Sequence, residues 1–347
     1  MTARKIRYSH LALQVAGAAL LAACSLQPIS AQTSDAAIDT EAAAHENWRA
    51  FMAQNPALEE GCYRASYPSI AWEQVECIQM HPRIHPAFHR PTKIEEQIVG
   101  DGHDYVAQAS GLISATLGTF PTVKDVTSEK SVGVAAFGGG GILGPNEYSL
   151  QINTDFQGTT AACKGHIDCT VWQQFVYATD YVGTGTAGVF IEYWLIGWGL
   201  SACPSGWESD GAGDCVINSN LTAAPDAKPT TLASLSLAGT AVKGGNDTVT
   251  FNNGTTAYSL TAKDSVVDIS EVWKQSEFNF LGDAGGSRAN FNKGASVTVK
   301  IALTDGSTSA PTCVANAGTT GETNNLNLGA CSTAGGTSPS IQFTESN

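Results

Sequence analysis

The sequence predicts an antiparallel β-sandwich of jelly-roll, concanavalin-like type over residues 104–347, and three observations carry that expectation. From about Asp104 onward, apolar and polar residues alternate with a period of two over short runs such as Tyr148–Asn153, Thr170–Tyr177 and Ser296–Leu303, as in strands with one buried face. Turn-forming clusters separate the runs, among them Gly244-Gly245-Asn246-Asp247 and Asn252-Asn253-Gly254. No strand–helix–strand alternation occurs, which disfavours a parallel α/β sheet.

Met1 to Ser25 places Arg4, Lys5 and Arg7 ahead of an apolar run from Leu11 to Ala23, the layout of a bacterial export signal. Residues 1–24 end in Leu21-Ala22-Ala23-Cys24, which looks like a lipobox that would leave Cys24 carrying a lipid. Ile29-Ser30-Ala31 offers an ordinary cleavage site as the second exit. The apolar run is shorter than the roughly 20 residues a membrane span needs. The protein is therefore expected outside the cytoplasm, lipid-anchored in the envelope or secreted, and touching membrane only through that anchor.

Residues 25–44 are rich in Ala, Ser, Thr, Gln and Asp and hold no aromatic side chain, so a flexible tether is predicted there. From Glu46, Trp48, Phe51 and Met52 recur at near-helical spacing until Pro56 interrupts them. Residues 45–103 read as an N-terminal disulfide-closed segment or propeptide followed by a Pro/His linker. In that linker His81, His85 and His89 recur every fourth residue, but Pro82, Pro86 and Pro91 oppose the helix that would align them as metal ligands. An exposed linker is the expectation.

Of nine cysteines, eight remain after Cys24: Cys62, Cys77, Cys163, Cys169, Cys203, Cys215, Cys313 and Cys331. An even set in an exported chain implies disulfides. Pairing of sequence neighbours is the simplest of the arrangements eight cysteines permit, each short bridge contributing about 2–3 kcal/mol. No Cys-x-x-Cys spacing occurs to suggest zinc.

The net charge is −14, and loss of the three signal cations would take it to −17. Such an acidic chain repels phosphate backbones, so nucleic acid is not an expected partner. There is no phosphate-binding loop, His-Glu-x-x-His or Gly-x-Ser-x-Gly, no strand–helix–strand unit that could carry a dinucleotide fingerprint, and no cofactor is expected. After residue 103 only His166 remains, between Cys163 and Cys169, which makes an imidazole base a poor candidate. Carboxylates and amides are left to do any chemistry. The Asp/Gly loops Asp210–Asp214 and Gly282–Gly286 could offer oxygen ligands to a hard cation but match no calcium-hand spacing.

The densest polar–aromatic stretch is Trp172-Gln173-Gln174-Phe175-Val176-Tyr177, followed by Glu192-Tyr193-Trp194. Alternation puts Gln173 with Phe175 and Tyr177 on one face, and Gln174 with Trp172 and Val176 on the other; only one glutamine can face a cleft. A Gln-bearing strand, a Gly-rich turn, an aromatic-Glu-aromatic strand and a later Glu-bearing stretch, Ser270–Phe278, together resemble the glutamic peptidases, acid proteases built on an antiparallel β-sandwich. That resemblance implies a Gln/Glu catalytic pair: Gln173 first and Gln174 second as amide donor, Glu277 first and Glu271 second as base. It also implies a substrate groove lined by Glu192, Tyr193, Trp194 and Trp172. The chain departs from the family pattern where Leu150-Gln151-Ile152-Asn153 replaces a tryptophan-valine-glycine stretch. A second function remains open, a cell-surface module on which Trp172, Trp194, Trp198 and Trp207 stack carbohydrate or a hydrophobic peptide. The expected partner is thus a polypeptide or a carbohydrate.

Overall fold

The computed structural model describes residues 32–82, 104–135, 138–315 and 322–347, with side chains from residue 40. The signal segment with Cys24, the N-terminal part of the predicted tether, and most of the Pro/His linker, with His85 and His89, lie outside the described residues. His81 lies within them, and its Nδ1 is 2.9 Å from Glu208 Oε1.

Two large sheets face each other. The back sheet runs, in spatial order, Glu73–Val75, Gly61–Ser66, Thr256–Lys263, Asn246–Asn253, Leu235–Thr240, Ala115–Lys124, Ser296–Thr304, Ser340–Ser346 and Asn327–Ala334. The front sheet runs Glu208–Ser209, Cys215–Asn218, Thr186–Ile196, Thr170–Gly183, Ser149–Thr154, Gln275–Leu281, Tyr105–Gln108 and Thr312–Ala315, with Thr222–Pro225 also pairing with Thr186–Ile196. Every pairing in both is antiparallel. A small third sheet joins Thr323–Asn324, Ser287–Phe291, Glu129–Gly133 and Gly144–Pro145, and its Arg288–Thr323 pair is parallel. The antiparallel sandwich expected from the alternation is present.

Two glycines of the back sheet let the layers meet. A Cβ at Gly118 would fall inside the ring of Phe278, and one at Gly239 would overlap Phe175. These two phenylalanines of the front sheet, fully buried, therefore sit in notches of its partner, with Phe120 5.0 Å from Phe278 and Trp273 5.6 Å from Phe175. Gly118→Ala is expected to push Phe278 out of its notch at a cost of about 1–3 kcal/mol or more, read as a lowered urea midpoint; an unchanged midpoint would show that the notch is not tight.

The cysteines pair as sequence neighbours: Cys62–Cys77, Cys163–Cys169, Cys203–Cys215 and Cys313–Cys331. The N-terminal region differs from expectation in two ways. Gln32–Gln54 is helical, so residues 32–44 are not an irregular tether: the alanines that make them too weakly apolar for a core are also the best helix formers. Nor is the disulfide-closed segment separate from the sandwich. Gly61–Ser66 pairs along its whole length with Thr256–Lys263, while Trp48 and Met52 pack on Ala65 and Ala257. Ala43–Asn347 is one compact unit, and of the preceding unit, Met1–Ala42, the helix from Gln32 is described.

Candidate functional site

The phenylalanines in their notches decide which polar residues face away from the sandwich interior. With Phe175 and Phe278 pointing inward, their neighbours Gln174 and Glu277 must point outward, since successive strand residues alternate. Cross-strand register then lines up one polar row: Glu277 opposite Asn153, Asn153 opposite Gln174, and Gln174 opposite Glu192. Directly opposed residues share a face. Trp194 and Gln151, two positions along their strands from Glu192 and Asn153, join the same face.

The hydrogen bonds give this row a direction. An indole N–H can only donate, and Trp194 Nε1 donates to Gln174 Oε1 at 3.1 Å and to Glu192 Oε1 at 2.9 Å. Gln174 Oε1 must therefore face Trp194, leaving Nε2 to donate to Asn153 Oδ1 at 2.9 Å and Gln151 Oε1 at 3.1 Å. Asn153 Nδ2 donates in turn to Glu277 Oε2 at 2.7 Å. Gln151 Nε2 donates to Glu322 Oε2 and, at 3.0 Å, to Ser149 Oγ, and Glu322 Oε1 accepts from the Gly285 N–H at 2.6 Å. The donor-only indole orients Gln174, which orients Asn153 and Gln151 in turn, and their N–H groups end on Glu277 and Glu322; such chains polarise cooperatively.

Two of these carboxyls are tuned. Burial raises Glu192 to about 7 against the opposing pull of the Trp194 indole. Burial also raises Glu322 to about 8; the Gln151 and Gly285 donors oppose it, and the Glu192 charge adds to it. Both line a narrow crevice with about 20 Å³ of free space, room for about one water, together with Gln151, Gln174, Tyr181 and Asp283. A carboxyl titrating near neutrality can hold a proton in mild acid and release it above.

The sequence-predicted residues divide sharply. Gln174, Glu277, Glu192, Trp194 and Trp172 share the outward face. Gln173, the first choice as amide donor, does not: it lies in the sandwich interior, where its Nε2 donates to Asp247 Oδ2 of the back sheet at 2.9 Å, because it shares its face with Phe175. Tyr193, opposite Gln173, is interior for the same reason and cannot line this groove. Glu271 sits in a short 3₁₀ turn, Ile269–Glu271, and pairs with Lys243 at 3.1 Å; it is off the front sheet and away from the row. Trp172 and Trp194 pack on each other 5.9 Å apart and are buried, while Trp198 stacks on His166, so exposed stacking platforms are not what these rings form. Asp210 Oδ1 caps the backbone of Ala212 and Asp214, and among the described residues no group of three His, Cys, Asp or Glu is placed to hold a metal.

Gln151, Asn153 and Glu322 were not singled out by the sequence. The first two were detectable as polar residues two apart between buried Leu150 and Ile152; Glu322 arrives from a distant loop and left no local signal. Comparison with family models, with curated proteins and with solved structures found no match to this chain.

Proposed function

We propose that this protein is an exported, glutamic-peptidase-like endopeptidase working in mild acid, with Gln174 and Glu277 as its amide–carboxylate pair. The observation that supports this most directly is the single row Glu277–Asn153–Gln174–Glu192 on one sheet face. Glu277 accepts a 2.7 Å bond from Asn153 Nδ2 and is the candidate base. In the proposed reaction it takes a proton as a water oxygen bonds to the scissile carbonyl carbon. The Gln174 amide N–H groups turn from their present acceptors to the oxyanion that forms. The C–N bond then breaks, and the departing nitrogen takes a proton from Glu192, which carries one up to about pH 7. The products are a carboxylic acid and an amine, and the proton held by Glu277 restores Glu192 through solvent.

Two carboxyls with separate duties on one sheet face fit the pattern of acid–base hydrolysis. The four disulfides suit an oxidising, extracytoplasmic compartment. The test is cleavage of a reduced, alkylated protein substrate by the purified chain across pH 3 to 7. Cleavage that peaks in mild acid and declines toward pH 7 is expected; absence of cleavage at every pH would sink the reading.

A further inference from the structure

The crevice that holds Glu192 and Glu322 has two chemically different ends. One end carries those carboxyls with Gln151 and Gln174; the other has an apolar floor of Val176, Ala178, Tyr181 and Phe190. Strand register makes the two ends continuous. Val176 lies two positions along from Gln174 and opposite Phe190, which lies two positions from Glu192, so all four share the outward face. Tyr181 stacks on Phe190 with ring centres 4.5 Å apart, and its hydroxyl accepts from Asn218 Nδ2 at 2.9 Å, which fixes the ring against the floor. The sandwich core lies on the other side of this sheet, where Phe175 and Phe278 fill their notches. The apolar floor is therefore not part of the packing between the two sheets.

The N-terminal segment covers this floor. Ile78 forms an isolated antiparallel bridge with Leu221, its N–H donating to the Leu221 carbonyl at 3.0 Å and its carbonyl accepting from the Leu221 N–H at 2.9 Å. Both Ile78 and Met80, two residues on, pack on the cluster formed by Val176, Ala178, Tyr181, Phe190 and Leu221. Met80 remains half-buried and Gln79 between them is exposed. A methionine suits such a place, because its unbranched chain adapts to an irregular gap and its sulfur packs well on aromatic rings. With about 20 Å³ of free space left in the crevice, a substrate side chain can enter only if a group covering the floor yields. Met80 is the flexible one.

We propose, resting on the peptidase reading above, that the floor of Val176, Tyr181 and Phe190 is the subsite for a long apolar side chain flanking the scissile bond, and that Met80 occupies it in the resting chain as an internal competitor. A tethered occupant competes as if present at about millimolar concentration. A substrate residue must then match methionine to displace it, which selects methionine- or leucine-like side chains over polar ones of the same length.

The test is calorimetric titration of the full chain at pH 7, where the proposed cleavage is low, with acetyl-alanyl-methionyl-alanine amide and with its glutaminyl counterpart as a polar probe of nearly equal length. Met80→Ala is expected to bind the methionyl peptide at least about tenfold tighter than wild type does, and at least about tenfold tighter than it binds the glutaminyl peptide. Met80→Gln, a poor occupant of equal length, should show the same gain, while Met80→Leu refills the subsite and should bind like wild type. Added to Met80→Ala, Val176→Thr exchanges one methyl of the floor for a hydroxyl at constant shape. It should weaken the methionyl peptide about fivefold and leave the glutaminyl peptide unaffected. Equal affinity in wild type and Met80→Ala, no binding to any variant, no preference for methionine over glutamine, or indifference to Val176→Thr would each overturn the proposal. Cleavage of the reduced, alkylated substrate is scored separately. The expected binding pattern without cleavage keeps the subsite and sinks the catalytic reading; cleavage without that pattern does the reverse.

Discussion

Glu277→Gln is expected to reduce cleavage of an unfolded protein substrate by at least about 100-fold, the range set by loss of a general base, with the fold retained. The substitution is nearly isosteric, and the new amide oxygen can still accept from Asn153 Nδ2, which now bonds to Glu277 Oε2. What disappears is the capacity to take a proton from water. Gln174→Ala is expected to lose activity by about 100- to 1,000-fold as the oxyanion donor goes, but it also costs stability. It removes one of the two acceptors of Trp194 Nε1, one of the two donors to Gln151 Oε1 and the donor to Asn153 Oδ1, and a buried group stripped of its partner costs about 1–3 kcal/mol. Activity must therefore be normalised to the folded fraction. Trp194→Phe should act through position: Gln174 loses the donor that fixes its orientation, so kcat falls more than KM changes. Glu271→Gln, which breaks only a surface pair with Lys243, is the control that should cleave like wild type. Full activity in Glu277→Gln would remove this residue from the chemistry.

The division between Gln173 and Gln174 shows where sequence reasoning reaches its limit. Period-two alternation separates the two glutamines and groups Gln173 with Phe175 and Tyr177, as the structure has them. It has no sign, however, because an apolar neighbour marks the core only if the opposite face is wet, and here both faces are buried: the whole of Val171–Thr179 is inaccessible. The sign comes from Gly118 and Gly239, sixty or so residues away on either side, whose missing side chains receive Phe278 and Phe175. Such pairing between sheets is invisible in a single chain read locally. The strand Ala115–Lys124 leaves a weak sequence signal for a related reason, since Gly118 and Pro121 dilute its alternation, although it is central to the back sheet. By contrast, local disulfide pairing and the antiparallel class were legible, because both depend on near neighbours. Glu322 illustrates the other limit. It reaches the row from the far end of the chain, and only the folded molecule sets it beside Gln151.

Stability should be greatest in acid and decline as the pH rises, the reverse of the behaviour of a protein held by surface ion pairs. Burial raises Glu192 to about 7 and Glu322 to about 8, and raises Glu129 to about 9 with help from the charges of Glu147 and Asp283. In the unfolded chain each titrates near 4.3. The folded state therefore binds more protons than the unfolded state between those values, and the slope of stability with pH is negative there. The contribution is fully present below about pH 4, where both states are protonated, and it drains away as the pH passes through 7 to 9. A shift of 2.5 pH units corresponds to about 3 kcal/mol, so Glu192 alone carries an effect of that order. Urea unfolding at pH 5, 7 and 9 should show midpoints falling in that order, with several kcal/mol lost across the range. Glu192→Gln should flatten the segment between pH 5 and 7, because the amide keeps an acceptor for Trp194 Nε1 and has no proton to lose. A midpoint that climbs from pH 5 to 9 would mean that these carboxyls are ionised in the folded protein. Glu192 would then have no proton to give a leaving amine, and the assignment of an acid role to it would fall with the stability argument. The same buried proton that holds the row together in acid is the one the proposed reaction uses, so stability and activity should fail on the same alkaline limb.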